Sequence, residues 1–180
     1  MGSRRAVVAP AAGAVMVWLA ALVGCSPALD WREVRPQGAD LAMLFPCRID
    51  SHERSVHLGG QAARMTMHSC RATEAVFSLG VVEAGSPSQV APMLDAMRSA
   101  ASEHLGTRSP APTHFLPKGM TSNASGGLFA MEGHLPDGRP VSLHAAFFVK
   151  GLRLYQASII GKEISSDASE TFFQAIRATP

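Results

Sequence analysis

The sequence is poor in the groups that carry recognisable chemistry. It holds one tyrosine and two tryptophans, and charged residues make up only 17% of it. A stacking platform for sugars or bases is therefore not expected. The charges also nearly cancel, at 16 Lys and Arg against 14 Asp and Glu. Arg4 and Arg5 account for two of the basic residues, so beyond them 14 basic residues face 14 acidic ones. A balanced chain has no electrostatic footprint for nucleic acid, and no nucleic-acid partner is expected. There is no phosphate-binding Walker loop, no dinucleotide fingerprint and no Cys-x-x-Cys. The seven histidines (His52, His57, His68, His104, His114, His134, His144) show no His-x-x-x-His or His-Glu-x-x-His spacing. Ser125-Gly126-Gly127 lacks the upstream glycine of a nucleophile elbow and reads as a loop. No catalytic residue and no cofactor is assigned, and the chain is not expected to be an enzyme. An enzymatic reading would need a polar cluster around His114, Ser122 and Asn123.

What is present begins at the N-terminus. Arg4-Arg5 is followed by an uncharged run from Ala6 to Val23 that ends in Leu22-Val23-Gly24-Cys25. The order of basic, apolar and small-residue segments is that of an export signal. The final four residues resemble the lipobox of bacterial lipoproteins. The resemblance implies cleavage after Gly24, lipidation of Cys25 and membrane attachment through its acyl chains. It also implies a periplasm-facing position in the cell envelope. Ser26 stands where an Asp would retain such a protein in the inner membrane, so the outer membrane is favoured. Two alternatives stay open. Ala6–Val23 is about long enough to span a bilayer uncleaved, since roughly 17–25 residues suffice. Ser3-Arg4-Arg5 partly matches a twin-arginine signal, with Val7-Val8 in place of Phe-Leu. The expected organisation is a signal at 1–24, a lipidated tether at 25–30 and one globular domain at 31–180. A tether of five extended residues reaches about 17 Å. It holds the domain near the bilayer and places Trp31 to touch headgroups.

Lipidation of Cys25 leaves Cys47 and Cys70. An even pair in an oxidising compartment reads first as a disulfide, with two buried free thiols as the alternative.

The remaining pattern is of short strands and two helices. Trp31–Arg35, Leu41–Phe45, Arg54–Leu58, Gln61–Ser69 and Ala75–Val82 read as strands, with Gly59-Gly60 as a tight hairpin turn. Ser86-Pro87-Ser88-Gln89 predicts a capping box. Val90, Leu94, Met97, Ala101 and Leu105 give the following helix an apolar stripe, Gly106 stops it, and Pro92 kinks it or marks a later start. Residues 107–127 read as a long loop with a short strand at His114–Leu116. Leu128–Leu135, Val141–Val149 and Leu152–Ile160 predict three more strands. If Lys150-Gly151 is a two-residue turn, Phe147 faces Leu154 and Phe148 faces Arg153. His134 then lies opposite Val141 and His144 opposite Met131. Val141, Leu143, Ala145, Phe147 and Leu154 share one face. Phe129, Met131, Ala146, Phe148, Tyr155 and Ile159 share the other. A sheet apolar on both faces is covered twice or forms an interface. A terminal helix from Asp167 docks through Phe172, Phe173 and Ile176.

This order predicts an α+β fold, a mainly antiparallel sheet with two helices packed on it. Three segments carry a resemblance to the PsbP/DcrB-like domains of exported proteins: Leu44-Phe45-Pro46, the hairpin Phe147–Gln156, and Phe172-Phe173-Gln174-Ala175-Ile176-Arg177. The resemblance implies an α/β/α sandwich and transfers no functional residue. The leading functional expectation is a non-catalytic envelope lipoprotein that binds a protein partner or supports an assembly. The alternative is a binding module for a small apolar ligand or lipid under the 107–127 loop. One weak metal motif remains, Met65-Thr66-Met67-His68. Its soft ligands suit copper(I), but Met65 and Met67 share a strand face that His68 does not.

Overall fold

A computed structural model describes residues 29–180, together with Gly2. All of the expected signal segment but Gly2, together with Cys25 and most of the expected tether, lies outside the described residues. The fold is α+β, with two antiparallel sheets and two helices packed on them.

The larger sheet is two meanders joined side to side. β3 (Asp50–Leu58), β4 (Gln61–Ala72) and β5 (Ala75–Glu83) form one, and β6 (Gly127–His134), β7 (Pro140–Lys150) and β8 (Arg153–Gly161) the other. The spatial order is β3-β4-β5-β8-β7-β6, so the seam is the β5–β8 pair. The first hairpin turns at Gly59-Gly60, whose φ angles of +55° and +79° suit the tight turn expected from the sequence. β3 starts at Asp50 rather than Arg54.

The last hairpin corrects the expected register. Lys150 pairs with Arg153, so the two loop residues are Gly151 and Leu152. Gly151 takes φ +60° at the first loop position, where positive φ is required and glycine meets no steric penalty. Each pairing shifts accordingly: Phe147 lies opposite Gln156 and Phe148 opposite Tyr155. On the other side of β7, Phe129 pairs with Ala145 and Met131 with Leu143. Both therefore join Phe147 and Leu154 on one face instead of facing away from them. His134 lies opposite Pro140 and His144 opposite Ala130.

Both faces are covered, as two apolar faces demand. α1 (Pro87–His104) packs on one, over Phe129, Leu143, Ala145, Phe147 and Leu154. Ser86 occupies its N-cap, but the capping box does not form. The Ser86 hydroxyl turns to Ser88 Oγ at 3.0 Å, and Gln89 Oε1 accepts from the Gly85 amide at 2.9 Å. The helix continues through Pro92. It ends in a Schellman pattern: Gly106 (φ +62°) donates to the Glu103 carbonyl at 3.0 Å, and Thr107 to that of Ser102 at 3.1 Å.

The opposite face carries α2 (Ser166–Gln174) and the small sheet, in which β1 (Arg32–Val34) and β9 (Arg177–Ala178) flank β2 (Leu41–Phe45). The Ser165 hydroxyl caps α2 by accepting from the Ala168 amide. Phe172 meets Phe45 and Phe77 edge-on, each at 5.4 Å between ring centres. Trp31 is spent on this core as well, edge-on to Phe77 at 5.9 Å. Residues 107–126 form no strand, because Pro110, Pro112 and Pro117 remove the amides a ladder needs. Isolated bridges from Thr113 to Leu128 and from Thr121 to Val149 pin the segment instead. Among the described residues no helix is long and apolar enough to cross a membrane.

Cys47, just after β2, is disulfide-bonded to Cys70 on β4, with 5.9 Å between Cα atoms. The bond fastens the small sheet to the large one. Closing a loop of this length stabilises a fold by about 3 kcal/mol through the unfolded chain. Urea unfolding with and without reductant is expected to show a loss of that size.

Candidate functional site

The geometry of α1 leaves part of its own sheet face open. Six strands at a spacing of about 4.8 Å span about 24 Å, and strands of nine residues run about 30 Å. An 18-residue helix is about 27 Å long and only about 10 Å wide. It crosses the sheet obliquely and is held at both ends by close backbone approach. At the β3–β4 tip, a Cβ on Gly59 would stand 3.3 Å from the Pro92 carbonyl group. At the far edge, a Cβ on Gly133 would collide with the Leu105 carbonyl, and the His134 amide donates to that oxygen at 3.1 Å. A helix running from one edge to the other covers a stripe. The triangle beside it becomes a groove.

This groove has a volume of about 620 Å³. Met65, Met67, Gln156, Ser158 and Ile160 form its floor, and β3 supplies a wall of Arg54, Val56 and Leu58. The helix side carries Met97, Ala100, Ala101, His104 and Leu105. Two features hold it open. Gly80 has no side chain, so the Met67 and Met65 sulfurs lie only 3.0 and 3.3 Å from where a Cβ would be. Ala100 and Ala101 put small groups where the helix faces the floor. The polar floor is internally satisfied, because Ser78 Oγ and Ser158 Oγ bond each other at 2.8 Å. No carboxylate lines the groove, which instead carries Arg54, His57 and His104. The volume and the mix of apolar lining with a few polar groups suit a small-molecule site.

The metal motif is split by the pleat. Met65 and Met67 face the groove, and His68 is buried on the opposite face. The Arg54 guanidinium donates to the Met65 sulfur at 3.7 Å, which sets a cation where a metal would sit. Among the described residues no three His, Cys, Asp or Glu side chains gather to hold a metal ion.

Two serine–histidine pairs form, Ser51 with His68 at 2.7 Å and His144 with Ser169 at 2.8 Å. Both use Nδ1. Among the described residues no carboxylate hydrogen-bonds either ring, so neither has the oriented base of a nucleophilic triad. His114, Ser122 and Asn123 do line one cavity, of about 450 Å³. There the Asn123 side chain is engaged by the Ser125 amide at 2.9 Å. No hydrogen bond joins the three among the described residues. The Tyr155 hydroxyl donates to the Ala39 carbonyl at 2.7 Å, and burial pushes its pKa up to about 12.

Burial lowers the pKa of both His68 and His144 from the ordinary value of 6.5. At His68 the Gln37 backbone opposes this and His52 adds to it. Nε2 of His68 is buried without a hydrogen-bond partner. The unfolded chain therefore takes up protons first as pH falls. Stability is expected to be full above 6.5 and to decline below it. Urea midpoints between pH 5 and 8 measure this, and His144→Gln should shallow the decline.

The groove was not readable from sequence motifs. Its signals are two glycines that fix the helix path and two alanines that thin the helix wall. Compared with known proteins, the chain matches no protein-family model, no curated protein and no solved structure, so the groove's own geometry is what speaks for its use.

Proposed function

We propose that this chain is a non-catalytic envelope lipoprotein, anchored through acylated Cys25, that binds a small apolar ligand between α1 and the sheet. The observation that carries the reading is the groove itself, about 620 Å³ in volume and lined by Met65, Met67, Met97 and Ile160. The ligand site thus lies beside α1 rather than under the 107–127 loop. The leading expectation from the sequence, a module that binds a protein partner or supports an assembly, drew in part on an apolar sheet face free to form an interface. Here the chain's own elements occupy both faces, and Leu116 is the large apolar side chain left exposed among the described residues.

The anchor reading rests on the basic, apolar and lipobox segments that precede Ser26. It brings with it a periplasm-facing position at the outer membrane. The six-stranded sheet between α1 and α2 supports a PsbP/DcrB-like assignment of the domain.

Each half has its own measurement. Metabolic labelling with palmitate should mark the wild-type chain and not Cys25→Ser, and the variant should leave the membrane fraction. Equal labelling of both would remove the anchor. An apolar fluorescent probe titrated into the full chain should bind in the groove. Ala101→Phe fills the helix side of the groove and should weaken that binding at least tenfold. Circular dichroism should show the fold unchanged.

A further inference from the structure

We propose that the ligand of this groove is a single-chain lipid with an anionic head, its acyl chain on the methionine floor and its head at Arg54 and His104. The inference rests on the groove being a ligand site, and adds the ligand's charge and shape.

The shape follows from the lining. The groove is a trough beside one helix, with Met65, Met67 and Met97 along it. Thioether side chains are unbranched and polarisable, and they adapt to a flexible chain better than branched ones do. Ile160, at the end of the trough, also lines the neighbouring cavity of about 550 Å³ bounded by Val76, Val141 and Lys162. A long, thin apolar body fits this outline, whereas a compact ring would leave its length unused.

The charge follows from what surrounds the trough. Arg54 on the β3 wall and His104 on the helix are exposed, and no acidic side chain lines the groove itself, whereas the cavity past Ile160 carries Glu74 together with Arg71, Arg139 and Lys162. Arg54 differs from its neighbours. Arg64 pairs with Glu53 at 3.0 Å and Arg98 with Asp95 at 3.0 Å. Arg54 has no carboxylate partner among the described residues. Its one side-chain hydrogen bond among the described residues goes to the Met65 sulfur at 3.7 Å, which sets the guanidinium beside the trough. A guanidinium presents a planar fork that suits carboxylate and phosphate oxygens alike. Because Arg54 is exposed, the gain is that of a rim ion pair, several-fold in affinity rather than thousands-fold, and it weakens with salt.

The test uses the full chain in nanodiscs of zwitterionic lipid and a photoreactive fatty acid with a diazirine near the chain end. Crosslinks are mapped by mass spectrometry. The label is expected on the β4 and α1 peptides that contain Met65, Met67 and Met97. Oleate should compete about fivefold more strongly than 1-oleoylglycerol, which has the same chain and no charge. Saturated carboxylates should compete more strongly as they lengthen, by up to about fourfold per buried methylene. Arg54→Gln should erase the preference for oleate, Arg54→Lys should retain most of it, and 0.5 M salt should shrink it in the wild type. If oleate and 1-oleoylglycerol compete equally for labelled groove peptides, the anionic head is overturned and the apolar site stands. If no label reaches those peptides, or Ala101→Phe leaves the labelling unchanged, both readings fall.

Discussion

A sheet with two apolar faces has to be covered twice, and most of this structure is the consequence. β8 sits in the middle, with Leu154 buried on one face and Tyr155, Ala157 and Ile159 buried on the other. Neither face can meet water without exposing several large side chains. Against one, the chain brings a second small sheet, α2 and the pinned segment around Phe115. Phe115 packs edge-on to Phe148 and Phe173 at 6.2 and 6.0 Å. Against the other it brings a single helix. The inequality of the two covers separates a sealed core from a face with a trough in it.

The two sides also divide the chemistry. Titratable groups held away from water, His68 and Tyr155, belong to the sealed side, where burial pushes the His68 pKa down and the Tyr155 pKa up, each toward the uncharged form. The helix side has soft, adaptable groups and exposed cations. A sheet one residue thick keeps them apart, and strand alternation sends Met67 one way and His68 the other.

How much of this was legible in the sequence depended on whether a signal was local. Gly59-Gly60 named its turn because only positive φ closes a two-residue loop. The three C-terminal strands were legible because β-branched, aromatic and alanine residues run unbroken between turn residues. The first half of β3 was not. Asp50, Ser51, His52 and Glu53 are polar on both faces, as an exposed edge strand should be, and they carry no alternation to read. The Lys150-Gly151 turn was displaced by one position because composition locates a glycine without saying which loop position it fills. A separate one-residue slip in the β6–β7 hairpin, where His134 meets Pro140 instead of Val141, put Phe129 and Met131 on the other face. The groove was least legible of all. Its shape depends on where a helix crosses a sheet, which Gly59 and Gly133 decide from opposite edges. Met65 and Met67 drew notice as soft ligands and matter instead as flexible lining.

The seam between β5 and β8 has a kinetic meaning. β3-β4-β5 is a run of local hairpins, and the bond between Cys47 and Cys70 falls within the same stretch of chain. That half can assemble from short-range contacts alone. β5 pairs with β8 from much later in the sequence, and long-range strand pairing of this kind is slow to close. Without β8, β5 would present an open edge bearing Phe77, Leu79 and Val81, all buried in the finished fold. Such an edge invites pairing with another copy. In the finished fold β8 covers that edge along the whole length of β5, so the seam also serves as the chain's guard against self-association.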